Sequence, residues 1–258
     1  MSITFDLDAI VGAEALTVGE RLTSFFKELS LGIDSFNAKN FNKTIHTVKG
    51  EEVWKQLTAR NVYFDVSIKH IPSPVFFNAD KMSFKEYVDF VLKAVPLVKL
   101  AQSQTDAVYR GIKSIAATGK VPYSIRNVDA MIMVNETKQQ AKLVFEDTKV
   151  YTRALNQMYP NFGTALEVDQ NFNRVVETLK SRDIEVLSKS ADQVVYVVNL
   201  LKKKIDSGDM VLDDSASRLL NDTISELVET ITFAGMMVAQ LSELTRILQL
   251  QIDEAKKL

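Results

Sequence analysis

Cysteine is absent from the chain of 258 residues. This absence excludes disulfide bonds, thiolate metal sites and a cysteine nucleophile. Histidine is nearly absent too, because His46 and His70 are the only two. Neither lies within helical reach of the side chains that would complete a zinc site of the His-Glu-x-x-His type. We therefore interpret both as ordinary surface or strand histidines and predict no metal site.

Glycine-rich phosphate loops are also missing. The nine glycines are scattered and form neither Gly-x-Gly-x-x-Gly nor Gly-x-x-x-x-Gly-Lys-Ser/Thr. Paired Glu-x-x-His elements, which build di-iron centres inside helical bundles, do not occur either. We predict no cofactor, no catalytic residue and no enzymatic activity. An activity stays open only through carboxylates that folding brings together, which a sequence cannot show.

Neither sign of charge dominates, since 31 basic and 33 acidic side chains leave a net charge of −2. Nucleic acid and anionic membranes are therefore not expected partners. Residues 1–16 contain no Lys or Arg, so we expect no secretory signal. The longest uncharged stretch, 230–242, has 13 residues, fewer than the roughly 18 that a bilayer requires. We predict no transmembrane helix and a cytoplasmic or virion location.

What the chain has in abundance is apolar residues at helical spacing. In its C-terminal part they alternate four and three positions apart, at Leu220, Ile224, Leu227, Ile231, Ala234, Val238, Leu241, Thr245, Leu248, Ile252 and Ala255. This heptad seam predicts one helix from Asp213 to Lys257, with Asp213 or Asp214 capping its first turn. Unless it breaks near Gly235, such a helix is about 67 Å long, whereas a compact globule of this size has a radius of gyration of roughly 18 Å. We therefore predict an elongated molecule.

A second seam runs from Phe84 to Ala116. Ser83 or Asp80 is positioned to start this helix, and Gly119 with Pro122 to stop it. Pro96 falls in the middle, where it removes a backbone hydrogen bond and clashes with the preceding turn. A kink or a break into two helices is therefore expected there. Because the seam continues across the proline, we favour the kink.

Two more helices are predicted between these seams, over 127–158 and 169–205. The second changes its apolar register around 180–183, which locally unwinds a supercoil. The short connection 207–209 predicts antiparallel packing of the helices on either side. For residues 81–258 the sequence thus predicts a mainly α domain, an elongated antiparallel bundle of four to five long helices.

Residues 1–80 are predicted to form a less regular N-terminal region. It contains an amphipathic helix over 17–36, a loop after it and a short helix over 51–59. Alternating apolar and polar residues over 62–68 predict a half-buried strand. Its partner is either residues 43–48 or an edge strand of another subunit.

Four aromatic residues are the candidate interaction site. Trp54, Phe64, Phe76 and Phe77 are of the types that dominate binding hot spots, so they are candidates for an exposed anchor. The alternative is a small core beneath the loops, which we favour because large aromatic side chains are more often buried for packing.

In general character, the cysteine-free composition, the absence of a signal sequence and the extended heptad seams resemble the long-helix virion and assembly proteins of tailed bacteriophages. The resemblance implies a structural subunit that packs against copies of itself or other particle proteins. We therefore predict a non-catalytic structural or assembly protein that forms homo-oligomers or docks through its helices. The alternative is a membrane-active protein, a pore former or a surface-binding effector, in which the apolar run 231–241 becomes exposed.

Overall fold

The computed structural model describes residues 44–59, 70–122, 125–145 and 148–258. Within these residues the protein is mainly α-helical, as predicted, with a small two-stranded sheet. The helices are α1 (Glu51–Ala59), α2 (Phe84–Val91), α3 (Ala94–Thr118), α4 (Val128–Val144), α5 (Leu155–Met158), α6 (Phe162–Val176), α7 (Ser181–Asp206) and α8 (Asp214–Ala255), and the strands are β1 (His70–Pro72) and β2 (Thr152–Ala154). The helix predicted over 17–36 and the strand predicted over 62–68 lie outside the described residues.

Helix α8 confirms the C-terminal prediction to within two residues at its end. Its 42 residues run without a break through Gly235, which gives a length of about 63 Å. Asp213 is the N-cap, because its carboxylate accepts a hydrogen bond from the Ala216 N–H. The seam is buried along most of its length, and the buried hydroxyl of Thr245 donates to the carbonyl of Leu241. Such a bond satisfies a polar group without a partner from another helix.

The preference for a kink at Pro96 is wrong, because the chain divides into α2 and α3. The helical hydrogen-bond pattern is interrupted at Leu92 and Lys93, and Pro96 lies in the first turn of α3. In the first turn of a helix, the missing N–H of Pro96 does not cost a carbonyl its hydrogen bond. In a continuous helix, the ring of Pro96 would collide with the carbonyl of Leu92. The predicted start is confirmed, since Ser83 and Glu86 form a capping box.

The helix predicted over 127–158 is too long. Asn127 caps α4 through the Ala130 N–H, but the helix ends at Val144. The next residue, Phe145, turns inward and packs its ring edge against Phe76 and Phe90, with centroids 5.8 and 5.4 Å away. These contacts from distant parts of the chain override the local helical preference. The chain then enters β2 instead of continuing the helix.

The helix predicted over 169–205 is two helices. α6 begins earlier than predicted, at Phe162, because the Asn161 side chain accepts from the Thr164 N–H. It ends at Val176, and α7 begins at Ser181. The change of register at 180–183 therefore marks a break between helices, and not an unwound turn within one.

The sheet joins two distant segments. β1 and β2 are antiparallel, with Ile71 opposite Arg153, and Ile71 is buried. Within the predicted partner segment, residues 45–48 have no regular secondary structure. A helix was predicted where β2 forms, because the strand that pairs with β2 is far away in the sequence.

Helix α3 is the common packing partner of the two longest helices. Both α7 and α8 pack most extensively on α3. The C-terminal ends of α3 and α7 meet, because Lys204 Nζ donates to the carbonyl of Ala116 at 2.7 Å. α7 and α8 are joined by a short turn in which Gly208 has a φ of +78°, a value that glycine adopts at little cost. α1 packs on α6, and its buried residues belong to the same hydrophobic cluster as those of α8. The division of the chain at residue 80 stays a prediction.

We expect the substitution Gly111→Ala to destabilise the protein. A Cβ at position 111 would lie 2.4 Å from Cγ1 of the buried Ile125. Overpacking costs about 1–3 kcal/mol, whereas alanine gains about 1 kcal/mol in a helix, so a net loss of up to about 2 kcal/mol is expected. Urea denaturation measures the loss. Ser114→Ala on the same helix is the control, and a Gly111→Ala protein more stable than wild type by about 1 kcal/mol, the gain at an unobstructed helix position, would contradict the packing argument.

Candidate functional site

Trp54 is buried, and does not form an exposed anchor. It lies on α1, with its indole Nε1 donating a hydrogen bond to Asp169 Oδ2 on α6 at 2.7 Å. Its ring stacks near Phe162 and lies tilted against Tyr159, with centroids 6.2 and 6.0 Å away. The side chain is 0% exposed. Trp54 therefore connects α1 to α6 from inside the fold.

Phe77 and Phe76 also belong to the interior. Phe77 is fully buried and meets Phe84 edge-on, with centroids 5.3 Å apart. The guanidinium of Arg153 lies over the Phe77 ring and donates to the Phe77 carbonyl at 2.9 Å. Phe76 is partly buried and contacts the Phe145 ring, while Phe64 lies outside the described residues. The three described residues thus have the placement of the alternative interpretation, a core beneath loops.

A buried polar network lies beside Trp54. The Tyr159 hydroxyl donates to Gln251 Oε1 on α8, and Gln251 Nε2 donates to the Pro72 carbonyl at 2.7 Å. Both side chains are about as buried as the surrounding core, at 0% and 1% exposure. The network therefore fixes α8 to β1 and to the turn before α6. Sequence reasoning did not single out either side chain.

Asp169 is the most strongly perturbed carboxyl group of this region. It is 1% exposed, and burial raises its pKa to about 7, although the Trp54 hydrogen bond acts in the opposite direction. Its Oδ1 atom is buried without a hydrogen-bond partner. A signal was present in the sequence, because Asp169 occupies the apolar spacing of α6 formed by Ala165, Phe172 and Val176.

A second carboxyl group with a raised pKa lies elsewhere. Partial burial raises the pKa of Glu226 on α8, and the nearby Arg126 counteracts this effect through an ion pair of 2.8 Å. Glu226 belongs to the contact of α8 with the start of α4, and Asp169 to the contact of α6 with α1. Over the described residues no group of three potential metal ligands occurs. The absence of enzymatic activity stays a prediction.

Helix α4 has apolar residues on two opposite faces. The inner face buries small or medium residues at alternating spacings of four and three, namely Ala130, Val134, Thr137, Ala141 and Val144. On the opposite face Val128 (59% exposed), Ile132 (53%) and Leu143 (71%) lie in solvent, whereas Met133 (46%) lies at the border of the inner face. We call Val128, Ile132 and Leu143 the outer face of α4. Exposed apolar residues on one face of a helix are a candidate interaction site.

Polar pairs hold α4 at the borders of its narrow inner face. Lys138 on α4 pairs with Glu229 on α8 at 2.6 Å, and Lys93 Nζ donates to Gln140 Oε1. α4 therefore keeps a defined orientation that directs the outer face away from the core.

The sequence matches no protein-family model, no curated protein and no solved structure.

We expect Tyr159→Phe to destabilise the fold by about 1–3 kcal/mol, because Gln251 Oε1 would lose its donor in a buried site. Thermal or urea unfolding measures the effect. Tyr196→Phe is the matched control. Tyr196 is 69% exposed, so water takes the place of its lost hydroxyl group. Equal effects of the two substitutions would argue against a structural role for the network.

Proposed function

We propose that this protein is a non-catalytic structural or assembly protein that associates with further copies of itself through the outer face of α4. The observation that carries the proposal is the solvent exposure of Val128, Ile132 and Leu143 on one face of α4. Removing such side chains from water stabilises an interface by roughly 25 cal/mol per Å² of apolar area. A second copy presents the same apolar surface, and an isologous contact buries it on both partners.

An extended shape supports the same role. We infer that α3, α4, α7 and α8 form an elongated bundle, with α8 at about 63 Å as its longest member. The turn between α7 and α8 and the loop between α3 and α4 are short, which favours antiparallel connections. A rod with exposed apolar residues on its side is suited to lateral packing in a larger assembly, such as a virion.

The membrane-active alternative rests on α8. Among the described residues, only Ser215–Ala255 forms a helix long and apolar enough to cross a membrane, and 50% of its most apolar window is buried inside the fold. A core helix meets the same criteria, and most of the apolar residues of the run 231–241 pack in or against the hydrophobic cluster, as Phe233, Ala234 and Met237 do. Membrane insertion would require α8 to leave these contacts. Liposome leakage over a range of pH and lipid composition tests this alternative.

We expect Leu143→Asp and Ile132→Asp to weaken self-association at least tenfold without changing the fold. Each places a charge in the proposed contact, and an unpaired charge that loses water is costly. Sedimentation equilibrium over a wide concentration range measures the association, and circular dichroism checks that the helices are intact. Because both side chains are exposed in the monomer, stability should change by less than about 0.5 kcal/mol.

Val211→Asp is the matched control, because Val211 is 86% exposed but lies in the connection before α8. It should associate like wild type. A wild-type protein that stays monomeric at high concentration, or equal weakening by the control, would contradict the proposed role of α4.

A further inference from the structure

The segment 44–59 is fastened to α6 by a small set of polar contacts. Trp54 Nε1 donates to Asp169 Oδ2 at 2.7 Å. One turn further along α6, the Asn173 side chain accepts from the Val48 N–H at 2.7 Å and donates to the Val48 carbonyl at 2.8 Å. Trp54 and Leu57 are the buried side chains of α1. The segment thus docks as a unit whose shorter hydrogen bonds to α6 converge on two neighbouring side chains, and a longer one of 3.5 Å joins Gln170 Nε2 to the exposed Glu51.

Asp169 is poorly provided with partners for a negative charge. Trp54 supplies one hydrogen bond to Oδ2, while Oδ1 is buried and has none. The backbone closes tightly over the carboxyl group, because a Cβ at Gly50 would lie 1.8 Å from Oδ2. An ionised carboxylate in such a place loses its hydration without equivalent compensation, whereas a protonated carboxyl loses much less.

The groups that face Asp169 do not supply a counter-charge. From the turn before α6 comes the buried Tyr159, whose pKa is raised by burial and by the Asp169 charge. From α8 come Ile252, which is apolar, and next to it the neutral Gln251. On α1, Glu51 is exposed and pairs with Lys55 at 2.6 Å.

On its own helix, Asp169 has the neutral neighbours Gln170 and Asn173. Within the described part of the chain, no lysine or arginine contributes to the perturbation of Asp169. Its ionisation is therefore not balanced by a nearby cation.

We propose that Asp169 is a pH-sensitive latch, which holds the segment 44–59 on α6 while its carboxyl is protonated and loosens the segment on ionisation, because docking removes the charged carboxylate from water. The pKa is about 7 in the docked state and 3.8 for an unperturbed aspartate. Docking is therefore strongest below pH 4, weakens as the pH rises between these two values and is constant above about 7. The window ends close to neutrality, so acidification from pH 7 strengthens docking, whereas a rise above pH 7 leaves it unchanged.

Hydrogen exchange on the full-length protein tests the latch. After correction for the intrinsic exchange rate, the opening equilibrium of residues 44–59 should rise close to tenfold per pH unit between about pH 4 and pH 7. Peptides from α3 and α7 should stay protected. Trp54 is the only tryptophan of the chain, so acrylamide quenching of its fluorescence follows the same opening independently.

Three variants distinguish the ionisation of Asp169 from the ionisation of other groups. Asp169→Asn keeps an acceptor for the indole but cannot ionise, so its opening should not depend on pH. His46→Gln removes an exposed histidine of the same segment and should retain the full dependence. Trp54→Phe removes the bond that favours the ionised form, so the upper limit of the window, followed by hydrogen exchange, should move to higher pH.

The latch is supported if the opening equilibrium of residues 44–59 rises with pH in wild type and in His46→Gln but not in Asp169→Asn. It is overturned if corrected exchange of residues 44–59 is independent of pH in wild type, or if Asp169→Asn keeps the wild-type slope. It is also overturned if α3 exchanges in parallel with the segment, because the titration then acts on global unfolding. A destabilised Trp54→Phe leaves these criteria unaffected, since they rest on the other two variants.

Discussion

Burial of α3 against both α7 and α8 is the constraint on which the rest of the structure depends. Three long helices can approach only if the central one carries small side chains at its contacts, and α3 has Ala101, Gly111 and Ala116 at buried positions. Such packing leaves little tolerance for added volume. It also determines where α4 and α6 lie, because both are positioned by contacts with the elements around α3 and α8.

Signals carried by residues close together in the sequence predicted where two of the helices begin. The Asp213 cap and the Ser83–Glu86 capping box act within one turn, so the starts of α8 and α2 could be located from the sequence. Helix breaks caused by distant partners could not be located from the sequence. Phe145 leaves α4 because of rings that precede it by more than fifty positions in the sequence, and β2 exists because β1 pairs with it. Periodicity alone predicts a helix in both regions, because it contains no information on long-range contacts.

The candidate sites were predictable in part, for the same physical reason. Residue type singled out Trp54 and Phe77, but burial depends on the tertiary neighbours, which place both inside. Asp169 stands out as an acid in an apolar seam, yet the missing partner of Oδ1 is a property of the packed state. The outer face of α4 depends on which side of the helix the core covers. The sequence does not show which side that is, because α4 has apolar residues on both faces.

The buried threonines of α8 have a consequence for how relatives of this chain would diverge. Thr223, Thr230 and Thr245 each satisfy their hydroxyl on their own helix, four residues back. The seam is therefore joined to its neighbours mainly by non-directional apolar contact, which does not define how far α8 is displaced along its axis. That axial position is set where α8 pairs with Arg126 and with Lys138 and where Gln251 reaches the Pro72 carbonyl. Seam residues can exchange among aliphatic types of similar volume over evolutionary time, and a distant homologue would be recognised by the spacing of these polar attachments.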